Sequence, residues 1–186
     1  TTTLAEYGEY TAYKKALTMT PDEVIAETDK ASGLVGRGGA AFPTGIKWGG
    51  AAKAQADQKY IVCNADEGEP GTFKDRVLMN NQARSMIEGM IICGYTIGAA
   101  HGIIYLRGEY WWLKNKLDEA IQEYHAVGLL GKDCGQIKGF DFDIRIQPGA
   151  GSYVCGEETA LLESLEGKRG EPRTKWFFPV EKGYLQ

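Results

Sequence analysis

The sequence predicts an α/β fold: a parallel β-sheet with helices on both faces. Short apolar runs typical of buried strands alternate along the chain with segments whose apolar residues recur at the spacing of a helix. The composition, with 43% hydrophobic and 25% charged residues, is that of an ordinary globular domain. A length of 186 residues suits one domain or slightly more.

The N-terminal part is predicted to be helical. Thr20, Pro21 and Glu23 form a helix start, with threonine as the cap, proline in the first turn and glutamate three residues after the cap. This helix should end near Gly33, where a glycine-rich loop begins. We therefore divide the chain into a helical lead-in, residues 1–32, and an α/β domain, residues 33–186.

Strands and helices are predicted to alternate after the glycine-rich loop. In order they cover residues 59–64 (strand), 82–99 (helix), 102–107 (strand), 111–127 (helix), 140–147 (strand) and 157–166 (helix). The last strand alternates apolar and polar residues, which indicates one solvent-facing side and a position near an edge. Because the carboxyl ends of parallel strands meet at one edge, residues 64–69, 107–109 and 148–158 should lie together in ligand loops.

Charge and composition exclude several classes of function. The 21 basic and 25 acidic residues give a net charge of −4, and the basic residues are scattered, so no nucleic-acid partner is expected. No apolar run approaches the roughly 18 residues that a membrane span needs, so no direct membrane insertion is expected. The four cysteines show no C-x-x-C spacing, and we expect reduced thiols that bind neither a metal nor an iron–sulfur cluster.

The glycine-rich loop, residues 33–48, combines features that suit a nucleotide. Its five glycines allow the backbone N–H groups to approach an anion, Arg37 and Lys47 add positive charge, and Phe42 and Trp48 offer flat apolar surfaces. The motif Gly36-x-Gly38-x-x-Ala41 has the letters of a dinucleotide fingerprint, but it follows a predicted helix instead of a strand and leads into Phe42-Pro43. The alternative interpretation is a flexible surface loop.

Two groups of carboxylates lie in the predicted ligand loops. Asp66, Glu67 and Glu69 follow the first strand, where they indicate hard-metal binding, acid–base chemistry or a solvated acidic turn, and the sequence does not decide between these. Glu157 and Glu158 lie at a predicted helix start, where a carboxylate interacts favourably with the helix dipole by roughly 0.3–1 kcal/mol.

Three long segments resemble, in the same order, the signatures of a known family. Residues 36–48, 64–76 and 149–161 are similar to the glycine loop and to two further motifs of the flavoprotein subunit of respiratory complex I. The same subunit type occurs in NAD-reducing hydrogenases and NAD-dependent formate dehydrogenases. The resemblance extends from about residue 10 to the end and implies a Rossmann-like sheet with an atypical glycine-rich FMN-binding loop.

The resemblance also implies which residues contact the cofactors. Those implied for FMN are Gly36, Arg37, Gly38, Gly39, Lys47, Asn64, Asp66, Glu67, Tyr153, Gly156 and Glu157. Those implied for NADH are Phe42, Glu69, Glu158, Lys175 and Phe178. No catalytic side chain and no metal ligand are implied, because the hydride passes between the cofactors. One departure is Ala41, where the family usually has glycine.

The implied activity is that of an NADH dehydrogenase (diaphorase) module, in which a hydride passes between NAD(H) and FMN and single electrons then pass to iron–sulfur clusters. The implied partners are iron–sulfur acceptor subunits, including a thioredoxin-like [2Fe–2S] subunit, in the cytoplasm or the mitochondrial matrix, peripheral to a membrane complex. The family's ubiquitin-like and [4Fe–4S] domains are expected outside these 186 residues, so the chain is expected to be a fragment or an incompletely assigned subunit. The alternatives are a membrane-associated ferredoxin–NAD oxidoreductase subunit and a cofactor-free docking module with the same fold.

Overall fold

A parallel sheet of three strands lies in the core of the computed structural model, which describes residues 10–174 and 176–185, apart from the side chain of Lys30. The strands are β1 (Tyr60–Ala65), β2 (His101–Leu106) and β3 (Asp143–Pro148), and their spatial order follows the sequence. They run in step, so that the first residues of all three strands are paired and the last residues are paired. All three carboxyl ends therefore lie at one edge of the sheet.

Helices connect and flank the strands, as the sequence predicts. The α-helices in the described residues are α1 (Thr11–Leu17), α2 (Pro21–Ala26), α3 (Thr44–Lys53), α4 (Lys74–Ile97), α5 (Lys114–Ala126) and α6 (Glu158–Leu165). A π-helix, Glu27–Ala31, continues α2. Short 3-10 helices cover Gly108–Leu113, Cys134–Gln136 and Tyr153–Gly156.

The two faces of the sheet carry different helices, which confirms the predicted architecture. On one face, buried residues of α4 and α5 form a cluster with Ile104 and Ile144 of the sheet. On the other face, Ile103 and Tyr105 pack with Leu161 and neighbouring residues of α6. The central strand is consequently buried on both sides. The edge strand β3 alternates as predicted, with a buried Ile144 between two exposed residues.

The largest difference from the prediction concerns the start of α4. This helix begins at Lys74 instead of near residue 82, and Gln82 has non-helical dihedral angles (φ −130°, ψ 33°) that mark a kink. Val77 and Leu78 in the first turns are exposed, so this part of α4 has no buried apolar stripe that would identify a helix in the sequence. Likewise, the predicted helix at 111 begins as the 3-10 helix Gly108–Leu113.

The lead-in contributes to the core through α1, a helix inside the predicted helical lead-in whose bounds the sequence did not give. The capping box at the start of α2 is confirmed, since the Thr20 hydroxyl accepts the Glu23 N–H and the Glu23 carboxylate accepts the Thr20 N–H. In α1, Tyr13 is buried in the main cluster and its N–H donates to Glu88 of α4 over 2.8 Å. The carboxylate that caps α1 lies 75 residues away along the chain, so it gave no local sequence signal.

The described residues also show the state of the cysteines and the character of the helices. Cys63, Cys93, Cys134 and Cys155 are free thiols. Within the described ranges, no cluster of histidine, cysteine and acidic side chains is arranged to hold a metal ion. None of the helices in this part of the chain combines the length and apolar character needed to cross a bilayer.

Candidate functional site

The loops that leave the three strands meet at the carboxyl edge of the sheet, as the sequence predicts. The Asn64 amide donates to the Gly156 carbonyl over 2.9 Å, and the Tyr153 hydroxyl donates to the Glu69 carboxylate over 2.6 Å. These two contacts join the second signature segment to the third. Arg107, which follows β2, donates to the backbone carbonyl of Glu67 and so ties the middle loop to the first.

Glu67 is a buried carboxylate with donors from the protein. One oxygen accepts the Tyr110 hydroxyl over 2.8 Å, and the other accepts the Asp75 N–H in the first turn of α4 over 2.7 Å. Burial raises the pKa of the Glu67 carboxyl, but hydrogen bonds from the Asp75 N–H, the Tyr110 hydroxyl and the Arg76 N–H, together with the Lys74 charge, outweigh burial and lower it. Glu67 therefore stays ionised and caps α4 from the preceding loop.

Asp66 differs from its neighbour, because one of its oxygens is buried without a donor. The residue is 7% exposed, and Oδ2 has no hydrogen-bond partner in the part of the chain that the structure describes. Burial raises the pKa of Asp66 to about 6, and the positive charge of Arg107 opposes that shift. A buried acceptor without a donor is uncommon in folded proteins, and at a ligand edge it is suited to a donor from a bound molecule.

The tip of the glycine-rich loop is closed by its own backbone and exposed to solvent. The Gly36 N–H donates to the Phe42 carbonyl and the Thr44 N–H donates to the Leu34 carbonyl, each over 2.9 Å. A Cβ at Gly38 or at Gly39 would meet nothing within 4 Å, so no packing inside the described structure requires glycine there. Open space therefore lies beside the backbone that the sequence assigned to a ligand.

Ala41 has a left-handed backbone conformation within this loop. Its φ is 50°, a region that favours glycine because a Cβ crowds the backbone there. The structure thus gives a physical reason to prefer glycine at this position.

Residues 44–48 of the predicted glycine-rich loop belong to α3, a helix that the sequence did not predict, so the loop itself ends at Pro43. Helix α3 begins at Thr44, with Pro43 preceding it, so the N–H groups of a helix start follow the loop. Gly45 is required by packing, since a Cβ there would lie 2.1 Å from the Cβ of Asp29. Lys47 is exposed in the first turns of α3, and its charge opposes the burial that raises the pKa of Cys93 in α4 to about 12.

The third signature segment caps α6. Oε2 of Glu157 accepts the N–H groups of Thr159 and Ala160 over 2.9 and 3.0 Å, so the favourable helix-start role suggested by the sequence is confirmed. A Cβ at Gly156 would lie 3.2 Å from the Asp66 carbonyl, so this glycine allows the first and third loops to approach closely. Glu158 is the first residue of α6.

The residues assigned to NADH are distributed over several elements. Phe42 and Phe178 expose 51% and 65% of their surface, which leaves both rings accessible. Glu69 is held by the Tyr153 hydroxyl at the carboxyl edge. Lys175 lies outside the described residues. The described contacts thus join Asn64, Asp66, Glu67, Tyr153 and Gly156 at one edge and hold the glycine-rich loop at the start of α3.

The sequence placed Arg107 at this edge without giving it a role, and it did not indicate Tyr110. Arg107 bonds the Glu67 carbonyl and pairs with Glu109 over 2.9 Å, and Tyr110 supplies a donor to the Glu67 carboxylate. Their position directly after β2 was the available signal, because that strand end was expected at the ligand edge.

A parallel sheet with three ligand loops at one edge, and a glycine-rich loop that opens a helix, defines a nucleotide-binding α/β domain. Comparison with known proteins gives the family. The family model described as the Nuo51 FMN-binding domain matches residues 30–185, and the chain belongs to that family.

Curated relatives are similar over almost the whole chain. It is 56% identical over 171 residues to the NAD-reducing hydrogenase HoxS subunit alpha of Cupriavidus necator, covering 92% of this chain and 28% of that protein. It is 54% identical over 177 residues to the NADP-reducing hydrogenase subunit HndC of Solidesulfovibrio fructosivorans, covering 95% and 36%. It is 52% identical over 178 residues to an NADH-quinone oxidoreductase subunit of Rhizobium meliloti, covering 95% and 42%.

A solved structure shares the fold. The crystal structure of an NAD⁺-reducing [NiFe]-hydrogenase in the H₂-reduced state matches with a TM-score of 0.85 and 41% identity, covering 95% of this chain and 29% of that chain. The chain thus spans less than half the length of each of these curated relatives.

The residues present fit FMN. Asp66 Oδ2 is a buried acceptor that can receive a ligand donor, and the space beside Gly38 and Gly39 can receive a ring or a phosphate. Arg37 and Lys47 are exposed cations on the same loop and the following helix, which suits a phosphate group.

Proposed function

We propose that the chain is the FMN- and NADH-binding part of an NADH dehydrogenase (diaphorase) subunit. The observation that carries the proposal is the junction of two signature segments through the Asn64–Gly156 and Tyr153–Glu69 hydrogen bonds, beside the buried Asp66. Relatives named as an NAD-reducing hydrogenase subunit and an NADH-quinone oxidoreductase subunit support it. The domain division at residue 33 is part of the same proposal.

FMN is held in this proposal by the glycine-rich loop and the carboxyl edge. When bound, FMN supplies a hydride acceptor that can pass electrons on singly. Asp66 accepts a hydrogen bond from it, and the loop N–H groups near Gly38 and Gly39 with Arg37 bind its polar groups. The ammonium of Lys47 favours negative charge on a nearby ring. The remaining FMN positions of the proposal are Gly36, Asn64, Glu67, Tyr153, Gly156 and Glu157.

NADH is held by aromatic rings and carboxylates. The exposed rings of Phe42 and Phe178 offer stacking surfaces for the adenine, and Glu158 accepts hydrogen bonds from ribose hydroxyls. Glu69 and Lys175 complete the proposed NADH set. None of these side chains is a proton donor or a nucleophile in the reaction, so their contribution is binding and orientation.

The partners proposed are subunits that accept single electrons through iron–sulfur clusters, including a thioredoxin-like [2Fe–2S] subunit. In this proposal, a [4Fe–4S] cluster is ligated outside the present residues. Relatives with subunit names support a multisubunit setting. The proposed location is the cytoplasm or the mitochondrial matrix, peripheral to a membrane complex.

Cofactor release and reduction test the proposed function. Acid treatment of the full-length protein, followed by chromatography, is expected to yield FMN, and anaerobic NADH is expected to bleach the flavin absorbance before release. FAD, or flavin that NADH does not bleach, would contradict the proposal. Absence of any flavin would favour the cofactor-free docking module.

A further inference from the structure

Near the C-terminal end of the chain, a loop with three aromatic residues begins after Arg173 and returns to it at Gly183. This aromatic loop, residues 174 and 176–182 of the described part, carries Trp176, Phe177 and Phe178, which expose 83%, 54% and 65% of their surface. Its base is closed by Arg173, whose Nη1 donates to the Gly183 carbonyl over 2.9 Å. Lys182 lies 4.7 Å from the ring centre of Phe177, within the same loop.

The loop emerges beside the start of α6. The preceding segment runs back along that helix, because a Cβ at Gly170 would lie 2.5 Å from the Cys155 sulfur and 3.5 Å from the Ala160 carbonyl. At the end of this segment the Arg173 N–H donates to the Thr159 hydroxyl over 2.9 Å. Residue 174 therefore leaves within one turn of Glu158, the proposed ribose ligand.

The far side of the loop rests on α3. The Val180 side chain lies 3.7 Å from the position that a Cβ at Gly50 would occupy. The N–H groups of Glu181 and Lys182 both donate to the Phe178 carbonyl, over 2.8 and 3.0 Å, and form a turn after the third ring. The loop thus reaches from α6 to α3, the helix that follows the glycine-rich loop.

One guanidinium holds the base of this loop. Besides Gly183, Arg173 donates through Nε to Glu163 and through Nη2 to Glu166, the latter over 2.6 Å. The three acceptors lie on α6, at its end and on the returning chain. A planar fork with five N–H donors can serve all three at once, whereas a lysine ammonium cannot reproduce this geometry.

Arg173 and its three acceptors are called the clamp below, and the carboxylate of Glu166 in this clamp stays ionised at neutral pH. The Glu166 side chain is 5% exposed. Burial raises the pKa of the Glu166 carboxyl, but hydrogen bonds from Lys168, Arg173 and the Leu185 N–H outweigh burial and hold it at about 2. Glu166 therefore remains a carboxylate that Arg173 can grip.

We propose that Arg173 is a positioning residue that holds the aromatic loop ready for the adenine nucleotide. The inference rests on the proposed function. A loop that is fixed before binding loses little conformational entropy when the nucleotide binds. A mobile loop would therefore weaken nucleotide affinity without changing the rate of hydride transfer in the complex. Arg173 itself need not touch the nucleotide.

The test compares two conservative variants of the full-length, FMN-loaded protein. Arg173→Lys is expected to raise the KM for NADH and the Kd for ADP-ribose, measured by calorimetry, by about 5- to 20-fold. We expect kcat and FMN content to stay within about twofold, since a few tenths of a kcal/mol is the scale of incidental effects. Hydrogen exchange of a peptide spanning residues 174–185 should speed up.

Arg169→Lys is the matched control, because Arg169 lies on the same segment. Its side chain is 88% exposed and pairs only with the exposed Glu171 among the described ion pairs, over 3.0 Å. Such a surface pair is worth little, so this variant should leave the KM, the Kd and the exchange rates unchanged. If Arg173→Lys fails to fold, Glu163→Gln removes the negative charge of one acceptor and should raise the same Kd about threefold.

The outcomes separate the inference from the function on which it rests. Wild-type protein that binds neither ADP-ribose nor NADH would overturn both. Wild-type binding with an unchanged Kd in the variants would overturn the inference alone. A fall in kcat or FMN content with unchanged ADP-ribose affinity would also overturn it, because that pattern indicates a merely structural role.

Discussion

Neighbouring carboxylates have opposite roles at the scale of single residues. Glu67 receives donors from Asp75 and Tyr110 and is committed to the start of α4. Asp66 keeps a buried oxygen without a donor among the described residues, and burial raises its pKa to about 6. The sequence placed both in one acidic cluster and could not tell them apart, because the donors come from residues 8 and 43 positions further along the chain.

Ala41 offers a direct test of strain in the glycine-rich loop. Ala41→Gly should stabilise the protein by up to about 1 kcal/mol, because glycine adopts a φ of 50° without a Cβ penalty. Ala40→Gly is the control, since Ala40 is not among the residues with positive φ. This substitution should destabilise the protein, because glycine adds conformational entropy to the unfolded chain. Thermal unfolding of both variants measures the effect, and equal destabilisation by the two would contradict it.

At the scale of elements, two adjacent carboxylates at the start of α6 have different roles, one structural and one in nucleotide specificity. Glu157 caps the helix through Oε2, whereas Glu158 is its first residue and our proposed ribose ligand. A carboxylate near a 2′-phosphate forces like charges together, which costs about 4 kcal/mol at 4 Å and an effective dielectric near 20. Two of the relatives differ in the nucleotide that their names give, since HoxS is named as NAD-reducing and HndC as NADP-reducing.

Glu158→Gln should therefore raise kcat/KM with NADPH relative to NADH by about 10- to 100-fold, after allowance for solvent screening. Glu157→Gln is the matched control, because loss of the cap should affect both nucleotides alike. Steady-state kinetics with each nucleotide decide the question. A ratio that stays the same in Glu158→Gln would show that this carboxylate does not select the nucleotide.

Elements with a buried apolar stripe were predictable, and those without one were not. The three strands and α6 lie within about two residues of their predicted bounds except at the start of β3, because burial imposes a clear pattern. The first turns of α4 expose Val77 and Leu78 and escape that pattern. The bounds of α1 and the whole of α3 were missed because their starts lack a local side-chain cap, and α3 carries three glycines.

At the scale of the whole molecule, the proposed site is assembled from segments distant in sequence. Asn64 meets Gly156 across 92 residues, and Glu69 meets Tyr153 across 84. Parallel topology made the meeting of these loops predictable, since all three strands end at one edge. The clamp of Arg173 was not predictable, because it depends on how the end of the chain folds back along α6.

The central claim is that FMN binds at the carboxyl edge of the sheet and donates a hydrogen bond to the Asp66 carboxylate. A donor favours the ionised carboxylate, so FMN binding should lower the Asp66 pKa from its value of about 6. FMN affinity should then rise about tenfold between pH 5 and pH 7 and level off above, because binding no longer has to release a proton. In Asp66→Asn this step should be absent.

The decisive measurement is titration of the apo-protein with FMN at pH 5, 6, 7 and 8, in which the quenching of flavin fluorescence reports binding. Wild-type and Asp66→Asn proteins are compared, because the phosphate of FMN titrates in the same window and contributes equally to both. We expect the ratio of their dissociation constants to change about tenfold across pH 6. A ratio that is constant with pH, or no FMN binding by the wild-type protein, would contradict the account.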